Sequence, residues 1–166
     1  MSDSGSRVRG LLDTSVVVAL EHVEPSLLPD EPAVSALTLA ELVAGPHASE
    51  DSDERARRQE RVQLVEATFE PLPFDDGAAR AYGRVYAAQV AAGRRARGRR
   101  AVDLLIAAVA VANELPLYTC NPDDFSALTK LLEIHTIDPN PADEPTNEPA
   151  DHAQLLEDER SPTLGK

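Results

Sequence analysis

Four acidic residues stand where chemistry could be done. Asp13 ends the apolar run Leu11-Leu12, Glu41 follows Thr38 by three, Asp103 lies near the start of a stretch that is apolar nearly all round, and Asp124 follows Leu117-Tyr118-Thr119-Cys120. Taken singly, each has a structural explanation. Asp13, Thr14 and Ser15 can cap a helix N-terminus, Glu41 completes a Thr38-x-x-Glu41 capping box, Asp103 sits favourably on a helix dipole, and Asp124 can cap its own turn. Together they suggest something else. Four carboxylates at one rim repel one another, and with no basic residue beside any of the four, a divalent cation is the economical compensation. Magnesium or manganese suits an all-oxygen site. Such an ion lowers the pKa of a bound water and stabilises charge on phosphate oxygens, which is what phosphodiester hydrolysis requires.

The elements that would bring these acids together follow from apolar patterning. Strands are expected over residues 8–13, 33–35, 117–120 and 133–137, and helices over 15–21, 38–44, 51–68, 77–92, 101–112 and 125–131. Gly45-Pro46 closes the second helix, Asp75 or Asp76 caps the fourth, and residues 71–74 form a short extended piece. The fourth helix places Ala78, Tyr82, Val85 and Gln89 on one face, with Ala81, Tyr86 and Val90 beside it, and its alanines suggest close packing. Residues 101–112 are apolar except at Asp103, the mark of a helix buried on most sides and the expected spine of the domain. Strands alternating with helices give an α/β fold, a mostly parallel central sheet with helices on both faces. In such a sheet, strand ends and helix N-termini open into one crevice, so the four acids are expected to converge there.

Composition bounds the rest. The 166 residues contain 42% hydrophobic residues and no run long and apolar enough to span a bilayer, so no membrane role is expected. Met1-Ser2-Asp3-Ser4-Gly5 lacks the features of a signal peptide, which makes the cytoplasm the default location. The single cysteine, Cys120, excludes an intrachain disulfide and reads as a small buried hydrophobe. The net charge of −13 is uneven: eight acids against two bases from Asp138 onward give −6, leaving −7 for residues 1–137. With its prolines, the segment 138–166 has little to bury and is expected to be a disordered tail, with at most an amphipathic turn at Leu155-Leu156, while 1–137 form one domain.

The motifs Leu11-Leu12-Asp13-Thr14-Ser15, Thr38-Leu39-Ala40-Glu41-Leu42-Val43-Ala44-Gly45, Asp103-Leu104-Leu105-Ile106-Ala107-Ala108 and Thr119-Cys120-Asn121-Pro122-Asp123-Asp124-Phe125, in this order and spacing, resemble the PIN domain of VapC-type toxins. The resemblance covers roughly residues 8–137. It implies a three-layer α/β/α fold and a magnesium- or manganese-dependent endoribonuclease. It further implies a toxin restrained by a VapB-type antitoxin and commonly homodimeric. Carried over, Asp13 and Asp103 would be the principal metal ligands, Glu41 a further ligand directly or through water, and Asp124 the fourth acid, its place before Phe125 favouring it over Asp123. Thr14 or Ser15 would orient Asp13, and Asn121 would support the site by hydrogen bonding. The acidic tail departs from the family pattern.

One basic feature stands apart. Gly93-Arg94-Arg95-Ala96-Arg97-Gly98-Arg99-Arg100 holds five arginines directly before the Asp103 helix. They could grip the phosphates of an RNA, since arginine pairs bidentately with phosphate and stacks on bases. They could equally be a solvated loop, or a seat for the acidic tail. The histidines show no zinc-site spacing, and no Gly-x-Gly-x-x-Gly or Walker pattern follows a strand. Asp13-Thr14-Ser15 lacks the second acid of aspartate-nucleophile phosphatases, and receiver domains need an acidic pair and a late lysine. The competing interpretation is a non-catalytic module that uses its acidic rim and tail to bind a basic protein.

Overall fold

A computed structural model describes residues 8–95 and 97–139. The expectations for the segment beyond residue 139, disorder and the turn at Leu155-Leu156, lie outside the described residues. Four parallel strands form the sheet, β1 (Arg9–Leu12), β2 (Glu31–Ala33), β3 (Leu117–Thr119) and β4 (Ile134–Thr136), in the order β2-β1-β3-β4. Among the described residues five α-helices surround it: α1 (Thr14–Val18), α2 (Ala36–Ala44), α3 (Ser52–Thr68), α4 (Asp76–Ala91) and α5 (Arg99–Ala112).

Successive strand side chains point to opposite faces, so a parallel strand covered on both sides must be apolar at every position. Leu11 and Leu117 go to one core, with Ala78, Ala81 and Val85 of α4 and Leu104, Ile106 and Ala107 to Ala110 of α5. Leu12 and Tyr118 go to the other, with Val16 and Val17 of α1, Leu42 of α2 and Val62 and Val65 of α3. These two cores make the three layers. Gly10 is fixed by close approach: a Cβ there would stand 2.3 Å from the Tyr118 ring, which is itself stacked on His135.

Several boundaries fall elsewhere than expected. β2 runs over Glu31–Ala33, including Pro32, because it is an edge strand, where a missing N–H costs no ladder bond. Ser35 instead makes a single parallel bridge to Leu72, the extended piece of residues 71–74. Helix α2 begins two residues before the Thr38 capping box: Ser35 is the cap, its hydroxyl accepting the Thr38 N–H at 3.0 Å, and Glu41 lies inside the helix. Asp51 and Asp75 cap α3 and α4. On α4, Ala78, Val85 and Gln89 of the expected face are buried together with Ala81, while Tyr82 is half-buried and Tyr86 and Val90 are exposed, because α5 packs on one side of the helix. Residues Pro122–Leu128 form a 3-10 helix in place of an α-helix over 125–131. Cys120 is half-buried.

Candidate active site

All four strands run the same way, so their carboxyl ends share one edge of the sheet. Asp13 follows β1 directly, and its N–H donates to the Tyr118 carbonyl of β3 at 2.9 Å. Its carboxylate does not cap α1. Instead Oδ2 accepts the Ser15 hydroxyl at 2.8 Å and the Thr119 hydroxyl at 2.9 Å. Oδ1 is buried and has no hydrogen-bond partner among the described residues. A buried carboxylate oxygen left bare is costly unless something cationic or protic meets it.

Behind Asp13 the support is backbone-anchored. Ser15 Oγ accepts the Cys120 N–H at 3.0 Å, and Thr119 Oγ1 accepts the Asn121 N–H at 3.0 Å. Asn121 makes this hydrogen bond through its main chain; its side chain is exposed and makes none among the described residues. Ser15 orients Asp13, as one of the two residues considered, while Thr14 turns the other way and donates its hydroxyl to Glu41 Oε2. Thr38 and Ser35 extend this line, with Thr14 Oγ1 3.4 Å from Thr38 Oγ1 and Thr38 Oγ1 3.1 Å from Ser35 Oγ.

Asp103, in the first turns of α5, is nearly buried, and its carboxyl is pushed up to about 6. Burial is the largest cause, followed by the negative charges of Asp13, Asp124 and Glu41, with Arg99 acting the other way. The four sequence-selected acids thus share one electrostatic field. They are not left without bases, however. Arg100 stands 3.2 Å from Asp124 Oδ1, and Arg94 donates to the Asp123 carbonyl at 2.7 Å. Contrary to the expectation that no base stands beside the acids, Arg100 reaches Asp124 from the first turn of α5 and Arg94 reaches the same segment from the loop before it. Among the described residues, no group of three or more His, Cys, Asp or Glu side chains is drawn together tightly enough to hold a metal ion. Glu41 is engaged by Thr14 and Asp124 by Arg100, so two of the four have local partners in place of a cation.

The residues present nonetheless fit a hard divalent ion. The donors are all oxygen, one of them is a buried carboxylate oxygen with no partner, and a carboxyl beside it is held against its own charge. Asp124 is half-buried and contributes to the Asp103 field, whereas Asp123 is exposed. Thr119 is a site residue that the sequence did not single out, and Arg100, expected only as an RNA contact, pairs with Asp124. The position of Thr119 at the end of a buried strand was the available signal; the Arg100 pairing, spanning 24 residues, left none. Burial raises the Cys120 thiol, which argues against a thiolate nucleophile.

The chain belongs to the PIN-domain family, whose model matches residues 10–131. Within it the chain is a VapC-type ribonuclease of the toxin–antitoxin class: it is 41% identical over 131 residues to Ribonuclease VapC5 of Mycobacterium tuberculosis, covering 77% of this chain and 93% of that protein. Ribonuclease VapC8 of the same organism is 37% identical over 102 residues, 61% of this chain and 89% of its own length. The crystal structure of VapBC-5 from M. tuberculosis, a member of the VapBC family of toxin–antitoxin systems, superposes with a TM-score of 0.68 at 41% identity, over 78% of this chain and 98% of that one. VapBC-1 of nontypeable Haemophilus influenzae, at 24% identity and a TM-score of 0.60 over 78% and 98% of the two chains, shares the fold.

Proposed function

We propose that this chain is a magnesium- or manganese-dependent endoribonuclease acting as the toxin of a toxin–antitoxin pair in the cytoplasm. Its activity would be held in check by a VapB-type antitoxin, with two toxin subunits forming a homodimer. The observation that carries the metal reading is Asp13: two hydroxyls fix one oxygen, the other is buried without a partner among the described residues, and its charge, with those of Asp124 and Glu41, acts on Asp103. Asp13, Asp103, Asp124 and Glu41 would hold the ion. When bound, it supplies an activated water and neutralises charge on the scissile phosphate.

The chain's own groups do the remaining work. Ser15 and Thr119 fix the direction of the Asp13 carboxylate, and Thr14 sets that of Glu41. Without a cation, Asp103 retains a proton at its carboxyl to higher pH than an ordinary aspartate. Arg94, Arg95, Arg97, Arg99 and Arg100 would grip RNA phosphates beside the acids; Arg94 and Arg100 already contact the Asp123–Asp124 segment. Among the described residues no helix is long and apolar enough to cross a membrane.

The test is cleavage of RNA by the purified chain with magnesium or manganese, with chelator, and in Asp13→Asn and Asp103→Asn variants. Loss in the chelator and a fall of at least about 100-fold in each variant are expected, the scale of removing a group that stabilises transition-state charge. Cleavage that survives both would sink the mechanism. Absence of cleavage with either metal, together with tight capture of a basic protein, would favour the binding-module interpretation.

A further inference from the structure

The arginine stretch divides into two sets. Arg94 and Arg100 are tied to the site segment and Arg99 acts on Asp103, but Arg95 and Arg97 are exposed and have no ion-pair partner among the described residues. With Arg94, Tyr86, Val90 and Gly93 they line a concavity of about 440 Å³. Its chemistry is composite: three guanidinium groups stand beside Tyr86 and Val90, which are 47% and 57% exposed. A concave surface with a cationic rim and an apolar side calls for a ligand that carries both acids and apolar groups.

The chain supplies one. Leu155-Leu156-Glu157-Asp158-Glu159 places two leucines beside three consecutive acids, the complement of an apolar pair beside three arginines. The chain also starts from the right place. The Ile137 N–H donates to the Thr119 carbonyl at 2.9 Å, so the polypeptide leaves the body at the carboxyl edge of the sheet, beside Asp13. The 3-10 helix Pro122–Leu128 packs against β4 and α4, and Arg94 bonds to it, so the concavity lies round the same corner. Fifteen residues separate Pro139 from Leu155, a reach of up to ~50 Å at full extension, which exceeds the ~36 Å diameter expected for a domain of this size.

We infer that residues 155–159 seat in this concavity of their own chain, the acids on Arg94, Arg95 and Arg97 and the leucines against Tyr86 and Val90. The seated segment covers cations that the proposed function gives to RNA, and so lowers RNA affinity from within; this regulatory part rests on that reading, while the seating itself does not. Because the contact is ionic and exposed, it weakens with salt.

The full chain is compared with a Glu157→Gln/Asp158→Asn/Glu159→Gln variant in chelator, where no metal-dependent cleavage intervenes. Backbone amide exchange of residues 86–95 is followed by mass spectrometry, and the Kd of a fluorescent single-stranded RNA by anisotropy. The variant is expected to exchange faster over 86–95 and to bind RNA about tenfold more tightly at low salt, as removal of a tethered competitor would allow. The difference should vanish at high salt and in an Arg95→Ala/Arg97→Ala background. Leu155→Ser/Leu156→Ser should give the same effects in smaller degree. Unchanged exchange over 86–95 would overturn the seating whatever the RNA result. Altered exchange with unaltered RNA affinity would support the seating and overturn the assignment of these arginines to RNA. Protection that disappears on dilution would overturn the intramolecular form in favour of the tail of a second copy.

Discussion

The two oxygens of Asp13 have different surroundings, and Asp103 records the consequence. Oδ2 accepts two hydroxyls while Oδ1 is buried without a partner among the described residues, and the charge on Asp13 adds to burial in raising the Asp103 carboxyl to about 6. A folded-state value raised above the unfolded one means that the native protein holds this proton more tightly than the unfolded chain. The associated stability is complete below about pH 4, where Asp103 is protonated in both states, and is lost as pH rises through about 6. In chelator, thermal unfolding of the wild type should therefore show a loss of about 2 kcal/mol between pH 4 and 7, reckoned from ~1.4 kcal/mol per pKa unit and reduced for local relaxation. Asp103→Asn should flatten that profile and be the more stable protein at pH 7.5, although inactive. An Asp103→Asn variant no more stable than wild type at pH 7.5 in chelator would mean that the acids do not repel one another as placed. The acids themselves were legible in the sequence, since a carboxylate after a buried apolar run is unusual enough to notice. The company they keep was not. Thr119, Arg100 and the turning of Thr14 toward Glu41 depend on which strands and loops become neighbours, a property of the assembled sheet.

At the scale of elements, α2 shows how a local pattern yields to tertiary contact. Thr38-x-x-Glu41 fits a capping box, yet the helix starts at Ala36 because Ser35 is already fixed. The bridge to Leu72 and the Ala36 N–H bond to the Leu72 carbonyl at 2.8 Å set the entry of the chain, and the Ser35 hydroxyl then takes the Thr38 N–H. Glu41 thereby moves from a cap position to a helix face that meets α1, where Thr14 can reach it. Ser35→Ala should lower stability by about 1 kcal/mol, the usual cost of losing such a cap, and should also raise the metal concentration needed for half-maximal cleavage, because the hydroxyl line from Ser35 through Thr38 to Thr14 is broken. Urea unfolding and a manganese titration of activity separate the two effects; a stability loss with an unchanged metal requirement would confine Ser35 to capping. Helices α3 and α4 are readable to within a residue because Asp51 and Asp75 cap them without help from elsewhere. The bounds of β2 are hidden because Pro32 argues against a strand wherever the edge position is unknown.

For the whole molecule, the sheet is a partition. Leu11, Ala33 and Leu117 look to the α4–α5 core and Leu12, Val34 and Tyr118 to the α1–α3 core, so the two cores do not mix across it. The acids come from both sides. Glu41 belongs to α2, whose Leu42 is in the second core; Asp103 belongs to α5 in the first, and Asp124 to the 3-10 helix packed on it. Asp13 stands on the seam, at the end of a central strand. Asp103 is repelled by the other three acids across this edge, and a bound cation would offset that repulsion and link the two layers, so metal binding should appear as stability of the whole domain as well as activity. By mass action, manganese at 100 times its Kd would add about 2.7 kcal/mol, or roughly 8 °C in Tm for a domain of this size. Asp13→Asn should abolish that gain, since the bare oxygen is lost. Arg100→Ala should shift it to lower manganese concentrations, because Asp124 is released from its ion pair. Differential scanning fluorimetry across a manganese series, with RNA absent, reads all three proteins. If manganese failed to raise the Tm of the wild type, or raised Asp13→Asn equally, the ion would not be tying the two layers through this site.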